Sequence, residues 1–238
     1  MASVVAVGLV GTTAAYAQNV ADPGVIPAAD LPLTTTINIG GTDSVGTTFE
    51  LDGGALASFE IDGGTINQTV GRFRVGQTST RTLTIGGGGS FISQTGNQAA
   101  LIGNGGSGNG TINLNDGTLE ITTTGTIFLG RQGGTGLINI DAGDLIFGAS
   151  QPTFDDLSGN GSINFLTDST GTLTVNLGDL AYFTGLYTSG DLTLNGANTE
   201  AFADVFQVSG STLSLVPEPS STALLGLGAF ALMLRRKK

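Results

Sequence analysis

Histidine and cysteine are both absent from the 238 residues of this chain. Without cysteine there is no disulfide, no thiolate nucleophile and no cysteine-ligated metal, although missing bridges do not exclude an exported location. Without histidine the commonest general base, the usual zinc ligand and every Ser-His or Cys-His nucleophile arrangement are gone as well. No cofactor or metal site is expected. Charged residues are only 11% of the chain, and lysine occurs only as Lys237 and Lys238. Apart from those two and the adjacent Arg235 and Arg236, the cations are Arg72, Arg74, Arg81 and Arg131, against a net charge of -11. A lysine-free acidic body cannot neutralise a run of phosphates, which excludes nucleic acid as a partner and suits a soluble, self-repelling exported surface.

What is abundant points to β structure. Glycine accounts for 40 residues, aromatics are 6%, and the polar remainder is mostly Thr, Ser, Asn and Gln. Such a composition favours strands separated by many tight turns. With 39% hydrophobic residues the chain can fill the core of one or two domains.

Both ends read as addresses. The segment Val4 to Ala15 is apolar and runs into Ala15-Tyr16-Ala17, the small-x-small pattern cut by signal peptidase, which predicts a secretory signal over residues 1–17 and Gln18 as the new N-terminus. A buried strand or helix is the alternative. No Lys or Arg precedes Val4, which points to a basic segment upstream of Met1. At the other end Ala223 to Leu234 are twelve residues without a polar side chain. As a helix they rise about 18 Å against a hydrocarbon core of about 30 Å, a marginal anchor that needs the flanking Arg and Lys stems to snorkel. The four cations behind this run place the body outside the cytoplasm and the tail within it.

Val216-Pro217-Glu218-Pro219-Ser220, the Gly-interrupted run "TALLGLGAFALML" and the terminal "RRKK" together resemble the PEP-CTERM sorting signal of exopolysaccharide-producing bacteria. The resemblance covers residues 216–238, and its ordered parts are Pro217, Glu218 and Pro219, then the apolar run, then Arg235, Arg236, Lys237 and Lys238. It implies recognition and cleavage near Pro217 to Pro219 by an exosortase, a membrane-embedded processing enzyme. Release to the cell surface or the extracellular polymer would follow. A plain tail anchor that stays in place is the alternative reading.

Between the two addresses the sequence repeats. Arg74-Val75-Gly76, Leu101-Ile102-Gly103 and Phe128-Leu129-Gly130 fall 27 residues apart, and each is followed by a second landmark: "TLTIGGGGSF", "TINLNDGTLE" and "LINIDAGDLIF". An earlier copy is "FEIDGGTI" from Phe59, and a fainter later one is "SINFLTDSTGTLTV" from Ser162. Each unit alternates apolar and polar residues with period two and breaks at Gly or Asn. A unit of this size cannot bury its apolar face alone, but stacking equivalent strands about 4.8 Å apart makes a continuous core. The expectation is an all-β fold, a right-handed parallel β-helix of about five coils over residues 34–178, with Val75, Ile102 and Leu129 at one inward level. The pattern resembles the β-helical repeats of autotransporter-like surface proteins. An antiparallel β-sandwich could use the same short strands. Residues 179–215 lose the repeat and concentrate Phe183, Tyr187, Phe202 and Phe206, which predicts a C-terminal β cap over the open end. Residues 18–33, with three prolines, read as a loose leader.

Several motifs fail on context. Gly103, Gly105 and Gly108 form a GxGxxG, but strand and turn follow where a dinucleotide site needs a helix. The stretches from Gly105 and Gly133 approach a calcium-binding nonapeptide yet carry Gly110 and Ile138 in place of its carboxylate. Leu31-Pro32-Leu33-Thr34, which is similar to a sortase motif, sits at the wrong end of the chain. Asp141 with Asp144, or Asp155 with Asp156, would be the acids of a polysaccharide hydrolase or lyase, but both pairs read as solvated turn acids. Arg72, Arg74 and Arg131 are the candidates for a sugar-binding groove. The sequence therefore points to an exported, non-catalytic structural or adhesive protein of the cell surface or matrix. Its partners would be signal peptidase and an exosortase-type enzyme. A carbohydrate-binding protein that retains exopolysaccharide is the alternative, and a β-helix hydrolase or lyase the third.

Overall fold

The computed structural model describes residues 36–39, 49–51, 58–63, 65–69 and 71–217. The expected signal-peptide residues Ala15, Ala17 and Gln18, the leader, and Glu218, Pro219, Arg235, Arg236, Lys237 and Lys238 lie outside the described residues. Among the described residues no helix is long and apolar enough to cross a membrane.

After β1 (Thr36–Ile39) the described chain winds through five coils of three short strands. The first is β2 (Phe49–Leu51), β3 (Ser58–Asp62) and β4 (Thr65–Gln68); the second is β5 (Phe73–Val75), β6 (Thr80–Gly86) and β7 (Ser90–Gly96). The third is β8 (Ala100–Asn104), β9 (Asn109–Leu114) and β10 (Thr118–Thr123); the fourth is β11 (Ile127–Arg131), β12 (Thr135–Ile140) and β13 (Asp144–Phe147). The fifth is β14 (Pro152–Asp156), β15 (Asn160–Phe165) and β16 (Thr172–Val175). Corresponding strands of successive coils pair in parallel and build three sheets, running β2-β5-β8-β11-β14, β3-β6-β9-β12-β15 and β1-β4-β7-β10-β13-β16. This is a parallel β-solenoid, and the antiparallel sandwich is excluded.

The period-two pattern of each strand becomes the inside and outside of the stack. Val75, Ile102 and Leu129 are register partners, and all three are fully buried. Phe59, Leu83, Ile112, Ile138 and Ile163 form a second inward column on the next sheet, and Ile66, Phe91, Leu119, Leu145 and Leu173 a third. Each fully buried aliphatic side chain of this kind contributes about 1.5–3 kcal/mol. At the first coils Phe49, Phe73 and Phe91 pack ring against ring, with centroids 4.7 to 5.6 Å apart. A polar pair sits among the inward residues: Ser93 Oγ donates to Gln68 Oε1 (3.1 Å), and Gln68 Nε2 donates to the Arg72 carbonyl (2.9 Å). That arrangement satisfies both buried side chains at a coil corner.

Glycine makes the corners sharp enough for three sheets to close. Gly103 lies at φ +68°, and a Cβ there would strike the Thr135 carbonyl of the next coil. Gly136 answers it from the strand above, where a Cβ would meet the Ile102 carbonyl. Backbone thus packs on backbone, which gives the glycines of the GxGxxG a structural reason to fall at this corner.

The stack closes with α1 (Leu180–Ser189), β17 (Leu192–Leu194), α2 (Phe202–Val205), β18 (Phe206–Ser209) and β19 (Thr212–Leu215). The expected β cap therefore contains helix. Phe183, Leu186 and Tyr187 are buried at the i, i+3, i+4 spacing of a helical face. Asp179 caps the start by accepting from Tyr182 N–H (2.8 Å), and Gly190 ends the helix at φ 91°. β17 extends the second sheet in parallel, whereas β19 pairs antiparallel with β16 and with β18. Phe206 lies 5.3 Å from Phe165 and 5.6 Å from Tyr187, ring centre to ring centre, so the cap aromatics seal the core of the fifth coil.

Candidate functional site

The three arginines proposed for a groove fall near one sheet but are not equivalent. Arg74 stands in the outward row Glu50, Arg74, Leu101, Phe128. Its Nη1 lies 3.3 Å from Glu50 Oε2. Arg131 follows the glycine corner of β11, in register with Asn104 and Asp156. Its Nε donates to Asp156 Oδ2 (2.8 Å), and its guanidinium carbon lies 4.4 Å from the centre of the Phe128 ring. Arg72 precedes β5 and is exposed. With β8 between them, β5 and β11 are about 10 Å apart, so Arg74 and Arg131 act through separate ion pairs along one face. Each pair links a coil to its neighbour, and such partly exposed bridges are worth about 0.2–1 kcal/mol.

The acid pairs also separate. Asp141 and Asp144 flank the corner between β12 and β13 in the fourth coil, and Asp144 accepts from Thr172 Oγ1 (2.7 Å) in the next. Asp155 and Asp156 end β14 in the fifth coil, where Asp155 accepts from Gly161 N–H and Asp156 holds Arg131. The Asp144, Asp155 and Asp156 carboxylates thus tie neighbouring segments together.

A more extended feature lies on the second sheet. Asn113, Asn139, Asn164 and Thr193 are successive register partners on its outer row. Asn139 Nδ2 donates to Asn113 Oδ1 (2.9 Å), and Asn164 Nδ2 donates to Asn139 Oδ1 (3.0 Å). Asn164 Oδ1 in turn accepts from Thr193 Oγ1 (3.0 Å) and Gly196 N–H (2.7 Å). The ladder runs in one direction from the third coil into the cap. Its sequence signal is the repeated Ile-Asn of "TINL", "LINI" and "SINF", which becomes legible as a ladder only once the register is known.

In the cap, Tyr182, Tyr187 and Asp191 carry the shifted groups, and burial raises the Tyr187 phenol against the opposing hydrogen bond to the Glu200 carbonyl. Burial, reinforced by the negative charge of Asp191, pushes the Tyr182 phenol up to about 12. Asp191 is itself raised above the ordinary carboxylate value, chiefly by burial, although a hydrogen bond from Ser189 opposes the shift. Beyond this region the described chain leaves the fold. Leu215 ends β19, Val216 N–H donates to the Val205 carbonyl (2.8 Å), and Pro217 is exposed. Of the expected sorting residues, Pro217 is therefore the one whose place in the fold is seen. It stands immediately after the last cap hydrogen bond.

The PEP-CTERM protein-sorting motif matches residues 215–237. No curated protein and no solved structure matches the chain. The motif implies export, membrane anchoring of the C-terminal signal and processing by an exosortase-type enzyme. The chain thus joins a parallel β-solenoid body to a PEP-CTERM sorting motif that starts on the last strand of its cap.

Proposed function

We propose that the protein is a non-catalytic structural or adhesive component of the cell surface or extracellular matrix, delivered there after removal of both end signals. The observation that carries this reading is the use of outward polar side chains as links between coils. The Asn113–Asn139–Asn164–Thr193 ladder and the Arg74–Glu50 and Arg131–Asp156 pairs all tie neighbouring coils to one another. A fold whose outer rows are spent on its own cohesion is suited to serve as a durable rod. The alternative, retention of exopolysaccharide, is supported by one feature: Arg131 over the outward Phe128 ring, with Arg74 on the same face. A guanidinium stacked on an outward ring makes a flat, donor-bearing surface against which a sugar ring can pack and hydrogen-bond. Incubating the purified protein with acidic and neutral polysaccharides separates the readings. Neither retention nor cleavage is expected for the structural role; retention lost in Phe128→Ala would establish the binder, and released oligosaccharide would establish an enzyme.

A further inference from the structure

We propose that the cap end of the solenoid is a membrane-facing surface, seated on a bilayer of zwitterionic lipid while the sorting motif is still attached. The inference rests on the anchored state that the motif implies. Its own evidence is where the apolar surface lies. Among the described residues the exposed large hydrophobic side chains are Leu157 (61% exposed), Leu177 (82%), Leu180 (60%) and Val216 (36%). None of them belongs to the first four coils. Leu157 lies in the turn after β14 of the last coil, Leu177 between β16 and α1, Leu180 at the start of α1, and Val216 just past β19. Leu157 and Leu177 are held at φ 51° and 58°, a backbone region that leucine avoids, and both remain exposed. Helix α1 turns Phe183, Leu186 and Tyr187 inward and leaves Leu180 outside.

The tether brings this end to the bilayer. Only Pro217 to Thr222 separate Val216, which is hydrogen-bonded to the cap, from the apolar run that begins at Ala223. Six residues span at most about 22 Å in any conformation. An anchored chain therefore keeps its cap within about 22 Å of the apolar run, and the exposed leucines on the last coil and the cap then decide which surface meets the headgroups. Charge selects the lipid. From Gln132 to Pro217 the chain has nine Asp and Glu and no Lys or Arg, so an anionic surface would repel this half whereas a zwitterionic one would not.

The absence of cysteine makes the test clean. The full chain is placed in phosphatidylcholine nanodiscs after single substitution with a fluorophore-labelled cysteine: Leu180→Cys or Leu177→Cys at the cap, or Glu60→Cys on β3, four strand steps or about 19 Å from β15. Lipids carrying a quencher near the headgroup should quench and blue-shift the labels at 177 and 180 and leave the label at 60 unchanged. Replacing part of the lipid with phosphatidylglycerol should weaken the effect. A label at Ala181 should lose its quenching when Leu177→Glu and Leu180→Glu are introduced together. Labels at 177 and 180 that stay unquenched while the protein co-elutes with the discs overturn the proposal but leave the anchor intact, and so does a blue shift without lipid quenching, which would mean that another segment of the chain covers the leucines. A chain that does not enter the discs at all refutes the anchor, and the docking proposal with it.

Discussion

Replacing Asn139 with alanine removes the middle of the outward amide ladder. Its Nδ2 donor to Asn113 and its Oδ1 acceptor for Asn164 are both lost, at 2.9 and 3.0 Å. Two neutral hydrogen bonds at about 0.5–1.5 kcal/mol net each give a loss of about 1–3 kcal/mol. With a urea dependence of about 2 kcal/mol per molar, the unfolding midpoint should fall by about 1 M without a change of slope. Because Asn113 and Asn139 share a bond, the double substitution Asn113→Ala with Asn139→Ala should cost less than the sum of the singles, by about 0.5–1.5 kcal/mol. Asn139→Ala combined with Arg74→Ala, on another sheet, should be additive within about 0.5 kcal/mol. Urea denaturation followed by far-UV circular dichroism reads all of these. Additivity of the Asn113 and Asn139 substitutions would refute the ladder as a cohesive element and weaken the structural reading built on it.

Other perturbations test the packing and the cap. Ile102→Ala, at the shared level between Val75 and Leu129, should cost about 2–5 kcal/mol in the same denaturation assay, since its neighbours above and below are fully buried. Gly103→Ala should cost more than about 2 kcal/mol, because φ +68° and the Thr135 carbonyl both resist a Cβ; Gly106→Ala, with open space around it, should change the midpoint little. The Tyr182 phenol is raised from 10.0 to about 12 in the folded protein, so between those values the folded state binds more protons than the unfolded one. Its stabilising effect is complete below pH 10 and is lost as pH climbs to about 12. A Tyr182→Phe protein should therefore show a shallower alkaline loss of stability, and an unchanged slope would contradict the burial of the phenol.

The 27-residue step between Val75, Ile102 and Leu129 is legible because the second and third coils are equally long on this sheet, although their corners differ. On other sheets and in other coils the step changes, so that Leu83 pairs with Ile112 across 29 residues, Arg74 meets Glu50 across 24 and Asn164 meets Thr193 across 29; the copies fade from view although the strands still stack. The aromatic residues of the cap could be read as a seal, but α1 could not. "LAYFTGLYTS" mixes aromatic, Thr and Gly residues with weak helix propensity, and what makes it helical is Asp179 before it, Gly190 after it and a core to bury Phe183, Leu186 and Tyr187. Arg74 and Arg131 are legible as cations along one face, yet their partners Glu50 and Asp156 come from neighbouring coils. Single-strand alternation carries no information about that pairing, and the amide ladder stayed hidden for the same reason.

Whether this β-solenoid is delivered by a removable C-terminal signal can be read from the intact mass of the protein recovered from the surface of its native host. The expected protein begins at Gln18 and ends near Pro219, and in a host lacking an exosortase it stays membrane-associated and keeps Lys238. Surface protein that still carries Lys238 would contradict that delivery and leave a permanent anchor in place of a sorting signal.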